Sequence, residues 1–271
     1  AAERAFLRES YVASRLHHPN AVAVVDAAVH ARQPYLVLEY VEGCSLATLL
    51  HRNPEARPPE LIVAIVIDAL EGLAAAHALT DADGRPLGLV HGDVSPENVL
   101  VGGDGSGRIS DFGVSRLGRS GAIDDPYEPV LSRPGYVPPE RALGRSLTPK
   151  ADVFSMGVVL WNALTGHELF LGASAEETLH NVLSARVPPP STVGLHPPAC
   201  FDALCLAPDG MLDLVPWIPL AEDHREERYK CVDEFLRDLG RLYEATPSYE
   251  HFGKEVHFTT PIVFGGPPTQ E

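Results

Sequence analysis

The stretch "LVHGDVSPENVLV", Leu89 to Val101, sets an aspartate five residues ahead of an asparagine between two apolar edges. Asp93 and Asn98 lie on a loop that leads directly into a strand, "NVLV". A turn-rich segment, "GGDGSG", and a second short strand, "RIS", follow it. Such a pattern predicts a hairpin. A hairpin of this length brings Asp111, at the end of the second strand, back beside Asn98. One amide oxygen and one carboxylate then converge, with a second carboxylate nearby. Hard oxygen ligands of this kind suit Mg²⁺, which keeps several waters and takes phosphate as a remaining ligand. Asp93 is left to orient a hydroxyl and accept its proton. Phosphoryl transfer, whose catalysis is mostly positioning and charge neutralisation, uses these parts.

Outward from that loop, the chain reads as mixed α+β. Residues 1–17 alternate charges with Phe6, Leu7, Val12 and Leu16, the pattern of a helix with one apolar face. "AVAVVDAAVH" and "PYLVLEY" read as two antiparallel strands, and "GCSLATLL" as a short helix capped by Ser45. The apolar run from Leu61 carries Asp68, Glu71 and His77, so it reads as a core helix and not a membrane span. Residues 114–137 lack either period and read as a loop. A strongly apolar helix is predicted from Pro149 to a stop at Gly166, with further helices near 173–185 and 226–245. A loosely packed tail is expected over 247–271.

Across its 271 residues the chain is 45% hydrophobic and carries a formal net charge of −16. The first figure allows a sizeable core; the second argues against a basic groove for nucleic acid. Four cysteines without CxxC spacing read as free thiols in a reducing, cytoplasmic compartment.

Taken together, these segments resemble the eukaryotic-like (Hanks-type) protein kinase family, in its bacterial serine/threonine branch. The resemblance spans roughly residues 3–245. It implies a protein-kinase-like fold over 1–246, with a mainly helical C-lobe and a truncated N-lobe of one helix and two antiparallel strands. It further implies ATP and Mg²⁺ as cofactors and a protein as substrate. "HGDVSPENVL" is similar to the family's catalytic loop, with Asp93 as the base, Asn98 as a metal ligand and His91 as a structural member. "SDFGVSR" is similar to the metal-binding motif of Asp111, Phe112 and Gly113. "GYVPPE", ending at Glu140, resembles the close of the activation segment, and Arg228 matches the arginine that pairs with that glutamate. "DVFSMGVVLW" resembles the buried helix whose aspartate, here Asp152, holds the catalytic-loop backbone. "YLVLEYVEG" resembles the hinge. There Leu38 is the gatekeeper, Glu39 and Val41 offer backbone groups to adenine, and Leu100 joins them in the nucleotide site. Glu9 matches the helix glutamate that pairs with the phosphate-anchoring lysine.

Three departures from the family pattern shape the functional reading. The Gly-rich loop and anchoring lysine would precede Glu9, which reads as a fragment that begins inside a helix and is inactive by itself. A sheet with an uncovered edge is expected to make the chain poorly soluble or to pair it with a second copy as a homodimer. Gly92 stands in place of the catalytic-loop arginine, so a phosphate on Ser120, Tyr127 or Ser132 would lack its usual counter-charge. Ser95 stands in place of a lysine that neutralises the transferred phosphoryl, while Arg133 replaces a threonine across from it. Arg133 is expected to return that charge from the opposite side. "HGD" with a following asparagine also resembles small-molecule kinases of the aminoglycoside or choline type. Glu140, Asp152 and Arg228 point instead to a protein substrate. A pseudokinase acting as a nucleotide-binding scaffold is the remaining alternative, opposed by the joint presence of Asp93, Asn98 and Asp111.

Overall fold

The computed structural model describes residues 10–30, 33–52, 58–112, 133–184 and 186–202. The helix expected near 226–245, the tail, Glu9, Gly113, Ser120, Tyr127, Ser132 and Arg228 lie outside these residues.

Residues 10–13 are helical and a turn covers 14–15, so the first helix stops short of the predicted 17. Strands β1 (Val24–His30) and β2 (Gln33–Leu38) form the expected antiparallel pair. Their outer face leaves Val25, Tyr35 and Val37 exposed. A second sheet has the order β3 (Gly43–Ser45), β4 (Val99–Gly102), β5 (Gly107–Ile109), antiparallel throughout. Helix α1 (Leu46–Arg52) starts directly after β3. The Ser45 hydroxyl accepts the Thr48 amide at 3.2 Å, so Ser45 caps it as its residue type predicts.

Helix α2 (Pro59–His77) and helix α4 (Pro149–Thr165) carry the core. Both open on proline, whose missing N–H costs nothing in the first turn. Between them come the single turn α3 (Pro139–Ala142) and, before that, a 3₁₀ turn at Pro134–Tyr136; α5 (Ala175–Ser184) follows. Every residue of α4 from Ala151 to Thr165 is buried, as in a helix enclosed on all sides. Val63, Val66, Leu70 and Leu73 of α2 meet this same core, as do Val153, Phe154, Met156 and Leu160 of α4. Phe154 stacks on Phe170 with ring centroids 6.3 Å apart. No helix among the described residues is long and apolar enough to cross a membrane.

The second sheet is pinned to α2 by one close approach. A Cβ on Gly72 would lie 2.2 Å from the Asn20 carbonyl oxygen, so only glycine lets the 18–22 segment run against this helix. Asn20 then accepts the Ile109 amide at 2.9 Å and donates its side-chain amide to the Gly107 carbonyl at 2.9 Å. The C-terminal end of β5, where Asp111 leaves the sheet, is thereby fixed.

Candidate active site

The loop between α2 and β4 is held from below by one carboxylate. Asp152, fully buried in the first turn of α4, accepts the His91 amide at 2.8 Å and the Gly92 amide at 2.7 Å, one on each oxygen for the two amides. His77, at the end of α2, meets the same carboxylate at 2.7 Å through Nε2. A buried carboxylate is tolerated only when its lone pairs are filled in this way. Gly92 adopts φ +73°, the left-handed region that favours glycine. Its carbonyl accepts the guanidinium of Arg141, from α3. The Gly92 peptide is thus held by charged side chains from two helices.

His91 ties the loop to β5. Its Nδ1 accepts the Asp93 amide at 3.2 Å, so the hydrogen sits on Nε2, which donates to the Ser110 carbonyl at 2.7 Å. The ring is buried and edge-on to Phe112, 4.9 Å between centroids.

Asn98 occupies the junction of loop and sheet. Its side-chain nitrogen donates to the Asp93 carbonyl at 2.8 Å and approaches Asp93 Oδ2 at 3.4 Å. This orientation leaves the amide oxygen for a cation. Its backbone carbonyl accepts both the amide and the hydroxyl of Ser110, at 2.8 and 3.1 Å. The ladder Val99↔Ile109 therefore continues one step further, to Ser110 against Asn98, and Asp111 is the next residue along. Asp111 has φ +65°, unusual for a residue other than glycine. Such a backbone persists only where its surroundings enforce it. An amide oxygen and a carboxylate next to a second carboxylate form a donor set that fits Mg²⁺.

On the opposite side, Arg133 closes the site. It donates through Nη1 to the Ser95 hydroxyl and through Nη2 to Asp93 Oδ2, both at 2.7 Å, and Nη1 lies 3.6 Å from Glu97 Oε2. The sequence places a charge here; the structure brings it onto the two residues concerned.

The hinge segment follows β2. Leu38 and Leu100 are half-buried, at the end of β2 and on the face of β4 opposite to core-facing Val99 and Val101. The Glu39 amide donates to the Ala23 carbonyl at 2.9 Å, and its carboxylate pairs with Arg108 at 2.9 Å. Among the described residues, the Glu39 carbonyl and the Val41 peptide groups take no backbone partner, which keeps them available to a planar base. Glu140 is buried within α3.

His77 and Arg141 are the two site residues that sequence reasoning passed over. The only signal for Arg141 is a cation directly after Glu140; the signal for His77 is its polarity on an apolar helix, which the sequence shares with Asp68 and Glu71.

A family model described as "Protein kinase domain" matches residues 1–204. The serine/threonine-protein kinase PknL of Mycobacterium tuberculosis (strain ATCC 25618 / H37Rv) is 38% identical over 200 residues, covering 73% of this chain and 47% of that protein. The serine/threonine-protein kinase PkaA of Streptomyces coelicolor is 40% identical over 193 residues, 69% of this chain and 33% of that protein. The chain thus spans about half the length of the first of these relatives and a third of the second. Among solved structures, the kinase domain of Mycobacterium tuberculosis PknI superposes with a TM-score of 0.63 over 88% of this chain and 78% of that one, at 22% identity. At that identity the likeness concerns the fold.

Proposed function

The chain belongs to the protein kinase family, and on that premise we propose that its site transfers the γ-phosphoryl group of ATP to a serine or threonine hydroxyl of a protein. The observation that carries this reading is the orientation of Asn98. Its nitrogen is committed to Asp93, which leaves its oxygen for a cation at the end of the hairpin from which Asp111 leaves β5.

In this reading Asn98 and Asp111 hold Mg²⁺, which supplies neutralisation of the phosphate charge. The Glu39 carbonyl and Val41 orient adenine, with Leu38 and Leu100 against its faces. Asp93 accepts the proton of the substrate hydroxyl. The hydroxyl oxygen bonds to the γ-phosphorus as the bond from that phosphorus to the β–γ bridging oxygen breaks, and ADP leaves. Asp152, His77 and Arg141 act through the loop backbone by fixing where Asp93 stands. ATP as the phosphoryl donor, together with Cys44 and Cys200 as free thiols among the described residues, supports a cytoplasmic setting.

The test uses the intact protein that contains this chain, with γ-labelled ATP, Mg²⁺ and myelin basic protein. Label on serine or threonine is expected, falling about a hundredfold or more in Asp93→Asn. ATP binding without labelled protein would leave a scaffold, and label on an aminoglycoside or choline instead would mean a small-molecule kinase.

A further inference from the structure

The loop "HGDVSPEN" carries two carboxylates, Asp93 and Glu97, and no lysine or arginine. With Asp111 alongside, the site is acidic where a phosphoryl group, itself anionic, has to pass. Charge that develops in such a transition state needs a preorganised cation. We propose that Arg133 is this cation: a catalytic arginine supplied by the substrate-facing segment, touching the transferring phosphoryl group. The inference rests on the kinase reading above and deepens it.

Three observations carry it. First, the guanidinium sits between the base and the loop hydroxyl, 2.7 Å from Asp93 Oδ2 and 2.7 Å from Ser95 Oγ, with Glu97 at 3.6 Å as its third neighbour. A group there borders the reacting hydroxyl that Asp93 receives. Second, its side chain is 29% exposed, so it is not a solvated loop arginine. Third, its backbone is anchored. Pro134 disfavours the helical region for Arg133, whose backbone stands at φ −141° and ψ 61°. The Arg133 carbonyl accepts the Tyr136 amide at 3.1 Å. Tyr136 is bonded twice to α4: its carbonyl accepts the Ser155 hydroxyl at 2.8 Å, and its own hydroxyl accepts Asn162 Nδ2 at 3.1 Å. The charge is therefore held in place before any substrate arrives, which is the condition for a large electrostatic effect.

During transfer, Nη1 stays on Ser95 while the Asp93-facing N–H groups turn to the phosphoryl oxygens as the substrate hydroxyl takes their place on Asp93. The proximity of Ser95 gives a reciprocal test. A lysine at position 95 would place its ammonium where the guanidinium now lies.

The experiment measures, by calorimetry on the intact protein with Mg²⁺, the affinity for ADP and for ADP with aluminium fluoride, a mimic of the phosphoryl in flight. Turnover is measured in parallel. Arg133→Gln keeps hydrogen-bonding groups and removes the charge. It is expected to bind ADP as the wild type does, to lose about a hundredfold in affinity for the aluminium fluoride complex, and to lose a similar factor in kcat. Adding Ser95→Lys is expected to recover at least about a tenth of each loss. Arg133→Gln with wild-type affinity for the mimic would overturn the proposal. So would a loss that Ser95→Lys leaves untouched, since a merely structural arginine behaves that way. A wild type that binds neither ADP nor the mimic would overturn the kinase reading and this inference together.

Discussion

Gly92 shows how one residue settles a local question that its neighbours raise. At φ +73° it occupies backbone that L-residues enter at a cost of roughly 1–2 kcal/mol. Its N–H and C=O are taken by Asp152 and Arg141, so the peptide cannot rotate to a milder conformation without breaking a charged hydrogen bond. Gly92→Ala is therefore expected to lower unfolding free energy by about 1 kcal/mol in urea denaturation. A substitution without effect would mean the loop relaxes freely. The loss of an arginine at this position, read from sequence as a missing counter-charge, is accompanied by an arginine from α3 on the glycine's own carbonyl. Asp111, by contrast, bears a left-handed φ without being glycine, and nothing in "SDFG" taken residue by residue announced that strain.

At the scale of elements, β4 and β5 were legible because "NVLV" and "RIS" flank an unmistakable turn. α2 and α4 were legible because apolar length and Pro or Gly boundaries agree. β3 was not: three residues, Gly43–Ser45, have no period to read, and they became a strand because β4 offered an edge. Contacts across long sequence separation were also hidden. His77 meets Asp152 only because α2 and α4 pack together, and Arg133 meets Ser95 only because the 3₁₀ turn docks on α4. That docking makes its own prediction. Burial pushes the Tyr136 phenol up to about 12. Its neutral form is favoured in the fold, so the stabilisation it gives is complete below pH of about 10 and is lost as pH rises through about 12. Tyr136→Phe leaves Asn162 Nδ2 without its acceptor and is expected to cost about 1 kcal/mol at pH 7. The variant should also lack the wild type's loss of stability between those alkaline limits, as read by thermal unfolding across pH. Equal pH profiles would show that the phenol does not sense burial.

For the molecule as a whole, the architecture is a device for bringing side chains from three separate segments to one place. Asp93 and Asn98 arrive on a loop clamped by α4, Asp111 on a sheet clamped by residues 18–22, and Arg133 on a turn clamped by α4 again. Helix α4 contributes nothing to the reaction directly, yet two of the three segments take their position from it, which explains why it is buried on every side. The claim most exposed to test is that Asn98 and Asp111 gather one cation against the phosphates of ATP while Asp93 does not. The measurement is a calorimetric titration of the intact protein with ATP, with and without Mg²⁺. Binding is expected to depend on Mg²⁺, to weaken at least about tenfold in Asp111→Asn through loss of a hard anionic ligand, and to persist in Asp93→Asn. Metal-independent binding, or an Asp111→Asn variant that binds Mg²⁺ and ATP as tightly as the wild type, would contradict the account.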